Sequence, residues 1–204
     1  MNPTDPPPPT SPGPAGQTPA LLVVMGVTGS GKTTVGAALA QRLRVPFADA
    51  DDFHSPANVA KMSAGVPLED ADRLPWLRSI GDWLAGHAAA GGVVSCSALK
   101  RSYRDVLRDS APQACFVHLA GDQEVVRRRV AGRPGHFMPA SLVASQFAAL
   151  QPLQPDEHGI VLDLTRGVEE LVEDYLAAAS PQRAGGAPPP GADPGDPAAP
   201  GERR

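Results

Sequence analysis

The run Gly26-Val27-Thr28-Gly29-Ser30-Gly31-Lys32-Thr33, followed by Thr34, is the part of this sequence best suited to chemistry. It fits G-x-x-x-x-G-K-[ST] at every required position, the pattern of a phosphate-binding loop. Glycines let successive backbone N–H groups turn inward around a phosphate with no Cβ in the way. A helix starting at the lysine points its positive end at the same anion. Lys32 is then expected to bridge the β- and γ-phosphates of a nucleotide, and the Thr33 hydroxyl to ligate magnesium. The loop alone leaves open whether ATP is used for group transfer, for motion or as a switch.

Four further clusters bear on that choice. Asp49-Ala50-Asp51-Asp52-Phe53-His54 follows a short apolar run. In an extended segment alternate residues point the same way, so Asp49 and Asp51 are expected to project together from a strand end. One carboxylate would anchor the magnesium shell and the other accept the proton of an acceptor hydroxyl; the competing reading is a helix-capping acidic turn. Arg73 lies just before Pro75-Trp76. Its planar guanidinium suits a substrate carboxylate, while Trp76 reads as a core anchor. Ser95-Cys96-Ser97-Ala98-Leu99-Lys100 offers small residues beside Lys100, Tyr103 and Arg104. Lys100, Arg101 and Arg104 serve a ligand or form a solvated basic face, and residue type does not separate the two.

The fourth cluster is Arg127-Arg128-Arg129 with Arg133-Pro134-Gly135-His136-Phe137. A mobile lid carrying arginines would exclude water and stabilise charge on a transferring phosphoryl group. Successive helical residues lie about 100° apart, so most of the triplet faces solvent and one or two members serve the site.

The elements that must position these groups alternate in type. Leu21–Met25 reads as a buried strand, Lys32–Arg44 as a helix, and Pro46–Asp49 as a second strand. Residues 55–90 read as helices broken by Pro67 and Pro75. Val93–Cys96, Cys115–Leu119 and Ile160–Leu164 are further strands, with helices near 100–110, 122–131, 139–150 and 167–179. Continuous apolar strands alternating with helices predict an α/β fold with a parallel sheet covered on both faces.

Composition bounds the rest. The chain has 204 residues and 24 prolines, concentrated at the ends. Residues 1–20 and 181–204 hold almost no large apolar side chains, so both are expected to be disordered tails around one domain at 21–180. A net charge of −4 gives no broad attraction for nucleic acid or an anionic membrane. No apolar run is long enough to span a bilayer, and the N-terminus lacks signal-peptide features, so a cytoplasmic protein is expected. Cys96 and Cys115 sit in apolar stretches and read as reduced, buried thiols.

With these clusters in order, residues 21–178 resemble the bacterial-type, thermoresistant gluconokinase family of shikimate-kinase-like P-loop kinases. The resemblance rests on Gly26–Thr34, Asp49–His54, Asn58–Met62, Gly65–Leu77, Cys96–Asp105, Arg133–Phe137 and Ser145–Gln146. It implies a three-layer P-loop kinase fold with a five-stranded parallel sheet and a lid segment, and phosphorylation of the 6-hydroxyl of D-gluconate by MgATP. It also implies Asp49 in the magnesium shell with Thr33, and Asp51 at the acceptor hydroxyl. Arg73, Lys100 and Arg104 fall at the substrate with His54 and His136, and Arg129 and Arg133 are the lid arginines. A homodimer is the default it carries. The rival readings are a P-loop kinase of shikimate, a nucleoside monophosphate or another sugar acid, and a nucleotide-binding regulator without catalysis.

Overall fold

The computed structural model describes residues 19–132 and 140–180. Residues 1–18 of the tail expected at 1–20, the tail expected at 181–204, Arg133 and His136 lie outside the described residues.

Five strands form one sheet: β1 (Leu21–Met25), β2 (Phe47–Asp49), β3 (Gly92–Ser95), β4 (Cys115–Ala120) and β5 (Gly159–Asp163). Their order is β2-β3-β1-β4-β5, and every pairing is parallel. Pairing begins one residue inside the expected tail, because the Gly92 N–H donates to the Ala20 carbonyl at 2.9 Å.

The helices are α1 (Lys32–Leu43), α2 (Pro56–Ser63), α3 (Asp70–Gly86), α4 (Arg101–Ser110), α5 (Gln123–Ala131), α6 (Ala140–Ala149) and α7 (Val168–Ala179). A parallel strand must be apolar on both faces, and β1 shows how the sequence meets this. Leu22 and Val24 join one core with Val35 and Leu39 of α1 and Leu171 and Tyr175 of α7. Leu21, Val23 and Met25 join the other core with Trp76, Leu77, Ile80 and Leu84 of α3 and Leu107 of α4. Each of these large side chains contributes about 1.5–3 kcal/mol on burial, which fixes the three layers.

Pro75 does not break its helix, contrary to the sequence expectation. It is the sixth of seventeen residues in α3. Proline there removes one ladder hydrogen bond. The burial of Trp76, Leu77, Ile80 and Leu84 directly after it offsets that loss. Pro67, by contrast, falls between α2 and α3, as expected.

The strand order places the site. The chain leaves β1 toward β2 on one side and leaves β3 toward β4 on the other, so the crevice at the ends of β1 and β3 is the switch point where open α/β sheets bind ligands. The phosphate-loop run follows β1 and the Ser95–Lys100 run follows β3. Two backbone bonds stitch these runs together, Cys96 N–H to Val24 O at 3.0 Å and Gly26 N–H to Ser97 O at 3.3 Å.

Candidate active site

The loop between β1 and α1 has the backbone that its glycines permit. Gly29 sits at φ +77° and Gly31 at φ +98°, both in the left-handed region. A Cβ on Gly29 would lie 2.4 Å from a Val130 methyl carbon of α5, so this position tolerates only glycine on two counts. Gly31 caps α1 without a side-chain bond, and the first turn holds no acidic residue. A helix start left uncapped and free of carboxylates keeps its N–H groups for an external anion. Lys32 opens α1, and its ammonium donates to the Val27 carbonyl at 2.9 Å.

Thr33 and Asp49 meet in front of this terminus. The Thr33 hydroxyl donates to Asp49 Oδ2 at 2.8 Å. The other oxygen, Asp49 Oδ1, accepts the Asp51 N–H at 3.1 Å. Here the extended alternation expected for residues 49–51 is replaced by a different geometry. Residues Ala50–Phe53 form a 3-10 turn that Asp49 caps. The cap brings the Asp51 backbone N–H onto the Asp49 carboxylate, which is the capping arrangement. The Trp76 indole fixes the turn from behind, donating to Ala50 O at 2.7 Å. The His54 ring stacks on Trp76 at 4.5 Å with an interplanar angle of 8°. Burial lowers the His54 pKa, Asp51 opposes that shift and Arg73 adds to it.

A second charged cluster joins α3 to α4. Lys100 donates to both carboxylate oxygens of Asp70 at 3.0 Å. The Tyr103 hydroxyl makes a short bond to Asp70 Oδ1, and Arg73 donates to the same hydroxyl at 3.1 Å. The Tyr103 and Lys100 hydrogen bonds hold Asp70 below the usual carboxylate range. Arg73 and Lys100 lie 5.8 and 5.1 Å from the Tyr103 ring centre, so two cations lie within reach of the phenol. The structure thus brings Arg73 and Lys100 together, as expected, and adds Asp70 and Tyr103 to them.

Arg104 does not join this cluster, which corrects the expectation that it contacts substrate. Its side chain has 0% exposure and forms a two-pronged pair with Glu157 at 2.6 and 2.8 Å. Its remaining donors reach the carbonyls of Ala98, Leu99, Gln151 and Pro152. A guanidinium so enclosed has no face to offer a ligand; it ties the loop after β3 to the segment before β5. Arg104 in turn holds the Glu157 carboxyl below its ordinary range. This contribution to stability is therefore present above the ordinary glutamate range and is lost as pH falls through the depressed value. Arg104→Leu is expected to destabilise by about 3–5 kcal/mol, because it strands a buried carboxylate. Thermal melting should fall by roughly 10 °C or more. A variant that melts normally yet loses acceptor affinity would return Arg104 to the substrate.

The arginine triplet divides as helical geometry requires. On α5, Arg127 and Arg128 lie 3.1 and 3.9 Å from Glu124. Arg129 is exposed on the same helix, and its charge is felt at the end of β5. There Asp163 is held below the usual range first by the Thr165 N–H and hydroxyl, with Arg166 and Arg129 adding to the effect.

Glu157 and Gln146 were not assigned roles by the residues themselves. Glu157 answers Arg104 across 53 positions, and Gln146 meets Thr28 across 118. No local pattern signals either contact.

Comparisons with known proteins agree with this architecture. The Shikimate kinase family model matches residues 28–173. A gluconokinase of Gluconobacter oxydans is 52% identical over 79% of this chain and 92% of its own length. The thermosensitive gluconokinase of Escherichia coli is 44% identical over 77% of this chain and 86% of its own. The crystal structure of a gluconokinase from Sinorhizobium meliloti superposes with a TM-score of 0.73 at 46% identity, covering 79% of this chain and 91% of that one. On this identity and coverage, and on a site built around a phosphate loop with a facing acidic pair, the chain belongs to the gluconokinase family of P-loop kinases.

Proposed function

We propose that this kinase transfers the γ-phosphoryl group of ATP to the 6-hydroxyl of D-gluconate, giving 6-phospho-D-gluconate and ADP. The observation that carries the reading is the pairing of two chemistries at one sheet edge. A phosphate loop faces an acidic pair, and a cluster containing Arg73 and Lys100 stands on the neighbouring helices. Gluconate offers a primary hydroxyl at one end and a carboxylate at the other, and these groups match the two halves. The curated relatives of high identity are named gluconokinases, which favours gluconate over the other acceptors of this fold.

The roles follow from chemistry. The loop Gly26 to Thr34 wraps the phosphates and turns the N–H groups of the α1 terminus toward them, with Lys32 set to follow charge onto the γ-phosphate as the bond to ADP breaks. Asp51 accepts the proton of the attacking hydroxyl. Arg73 and Lys100 bind the substrate carboxylate, sharing it with Asp70 and Tyr103, while His54 and the 3-10 turn border the acceptor. Arg129 of α5 and Arg133 supply positive charge to the transferring group, and His136 joins the groups that bind the acceptor. A homodimer belongs to the same proposal and rests on the family resemblance, and a cytoplasmic location is proposed with it from the reading of the sequence.

Thr33 and Asp49 present adjacent oxygens at the helix terminus, a donor set that fits Mg²⁺ held largely by substrate phosphates. The ion, when bound, would neutralise charge on the phosphate oxygens. Asp49→Asn keeps an acceptor for the Asp51 N–H but removes the anionic ligand. It is expected to raise the Mg²⁺ concentration for half-maximal turnover about tenfold, read by titrating the metal during ADP release. An unchanged requirement would remove Asp49 from the metal shell.

The position of transfer is tested by offering the product to a dehydrogenase specific for 6-phosphogluconate. Stoichiometric NADPH formation is expected, and a phosphorylated product that the dehydrogenase ignores would place the phosphate elsewhere.

A further inference from the structure

The peptide unit joining Val27 and Thr28 is held at both ends. Its N–H donates to Gln146 Oε1 of α6 at 2.6 Å. Its carbonyl accepts the Lys32 ammonium at 2.9 Å and the Ser30 N–H at 3.2 Å. No peptide bond among the described residues is cis, so this N–H and carbonyl point in opposite directions from one rigid plane. Rotating that plane at either end rotates it at the other. Gln146 therefore acts on the orientation of the carbonyl that Lys32 touches.

Gln146 is itself well supported. One turn earlier in α6, Val143 is 1% exposed and packs in the core shared with Leu119 and Val126. Phe147, the next residue, packs against that same core. Just past the helix, the Gln151 N–H donates to Leu99 O at 2.8 Å, and Gln151 Oε1 accepts the Arg101 N–H at 2.6 Å. Helix α6 is thus docked at its middle and beyond its end, which gives Gln146 a fixed base from which to reach the loop. The adjoining loop residue, Gly29, lies against Val126 and Val130 of α5.

We propose that Gln146 is a positioning residue for phosphoryl transfer, orienting the Val27–Thr28 peptide and, through its carbonyl, the Lys32 ammonium. The inference rests on the kinase reading above. Because the side chain reaches a backbone N–H of the phosphate loop and not the acceptor cluster, its effect falls on ATP and not on gluconate.

The test is steady-state kinetics of Gln146→Met, which keeps length and removes the acceptor. The expected result is a fall in kcat/KM for ATP of about tenfold, the upper end of what one oriented hydrogen bond contributes. The gluconate KM should stay within twofold. Placed in a Lys32→Met background, Gln146→Met should add less than twofold, since residues acting through one another are not additive. Gln146→Asn, which shortens the reach by one methylene, gives the same test should the methionine variant fold poorly. Wild-type-like kcat/KM for ATP, an equal rise in the gluconate KM, or a full tenfold further loss without Lys32 would each overturn the proposal. Wild-type turnover is the control: its absence would overturn the kinase reading and this inference with it, whereas an active wild type matched by an equally active variant overturns only the role of Gln146.

Discussion

Lys32→Ala is expected to lower kcat by about three orders of magnitude while leaving the melting temperature within a few degrees of wild type. The charge on Lys32 is matched to negative charge that grows on the γ-phosphate during transfer, and preorganised charges at such positions carry some of the largest effects in catalysis. Stability should change little because Lys32 is the first residue of α1, partly exposed, and outside both cores. Circular dichroism and a thermal melt check the fold, and coupled ADP release checks the rate. A folded Lys32→Ala protein with near-normal turnover would sink the assignment of the phosphate loop to catalysis.

A second large effect separates the two halves of the acceptor site. Arg73→Ala should raise the gluconate KM roughly 10- to 100-fold, the range of a lost charge-assisted hydrogen bond, with the ATP KM little changed. Lys100, Tyr103 and Asp70 remain bonded to one another without Arg73, so the loss should be confined to binding. Asp51→Asn should do the reverse, lowering kcat by about 10²–10⁴-fold with ATP binding preserved. Its backbone N–H still bonds Asp49, which keeps the turn in place. Equal effects of both substitutions on KM and kcat would show that the carboxylate end and the hydroxyl end are not held by separate groups.

The strands were legible in the sequence because each is a short apolar run with little competing for it. Leu21–Met25 matches its expected bounds, β2 and β4 differ from theirs by one residue at one end, and β3 and β5 are shifted by one residue. The phosphate loop was legible for a related reason: its chemistry is carried by backbone geometry that only a glycine pattern permits. What sequence reading missed depends on contacts between distant segments. Lys100, Arg101 and Arg104 look alike as a basic run, yet they have three different fates. Lys100 turns to Asp70, Arg101 pairs with Asp156 at the surface, and Arg104 is buried against Glu157. The consecutive acids Asp156 and Glu157 decide the last two, and nothing near Arg104 in sequence announces them. Pro75 misled for another reason. A helix-breaking residue was weighed against local propensity, whereas four buried side chains after it decide the outcome.

The central claim is the choice of acceptor, and one measurement tests it most directly. ADP release would be followed at fixed MgATP with gluconate, glucose, shikimate and a nucleoside monophosphate offered in parallel. Gluconate should give a kcat/KM at least about tenfold above each of the others, with glucose poor because it lacks the carboxylate that Arg73 and Lys100 await. Better turnover of glucose, shikimate or the nucleotide than of gluconate would contradict the account.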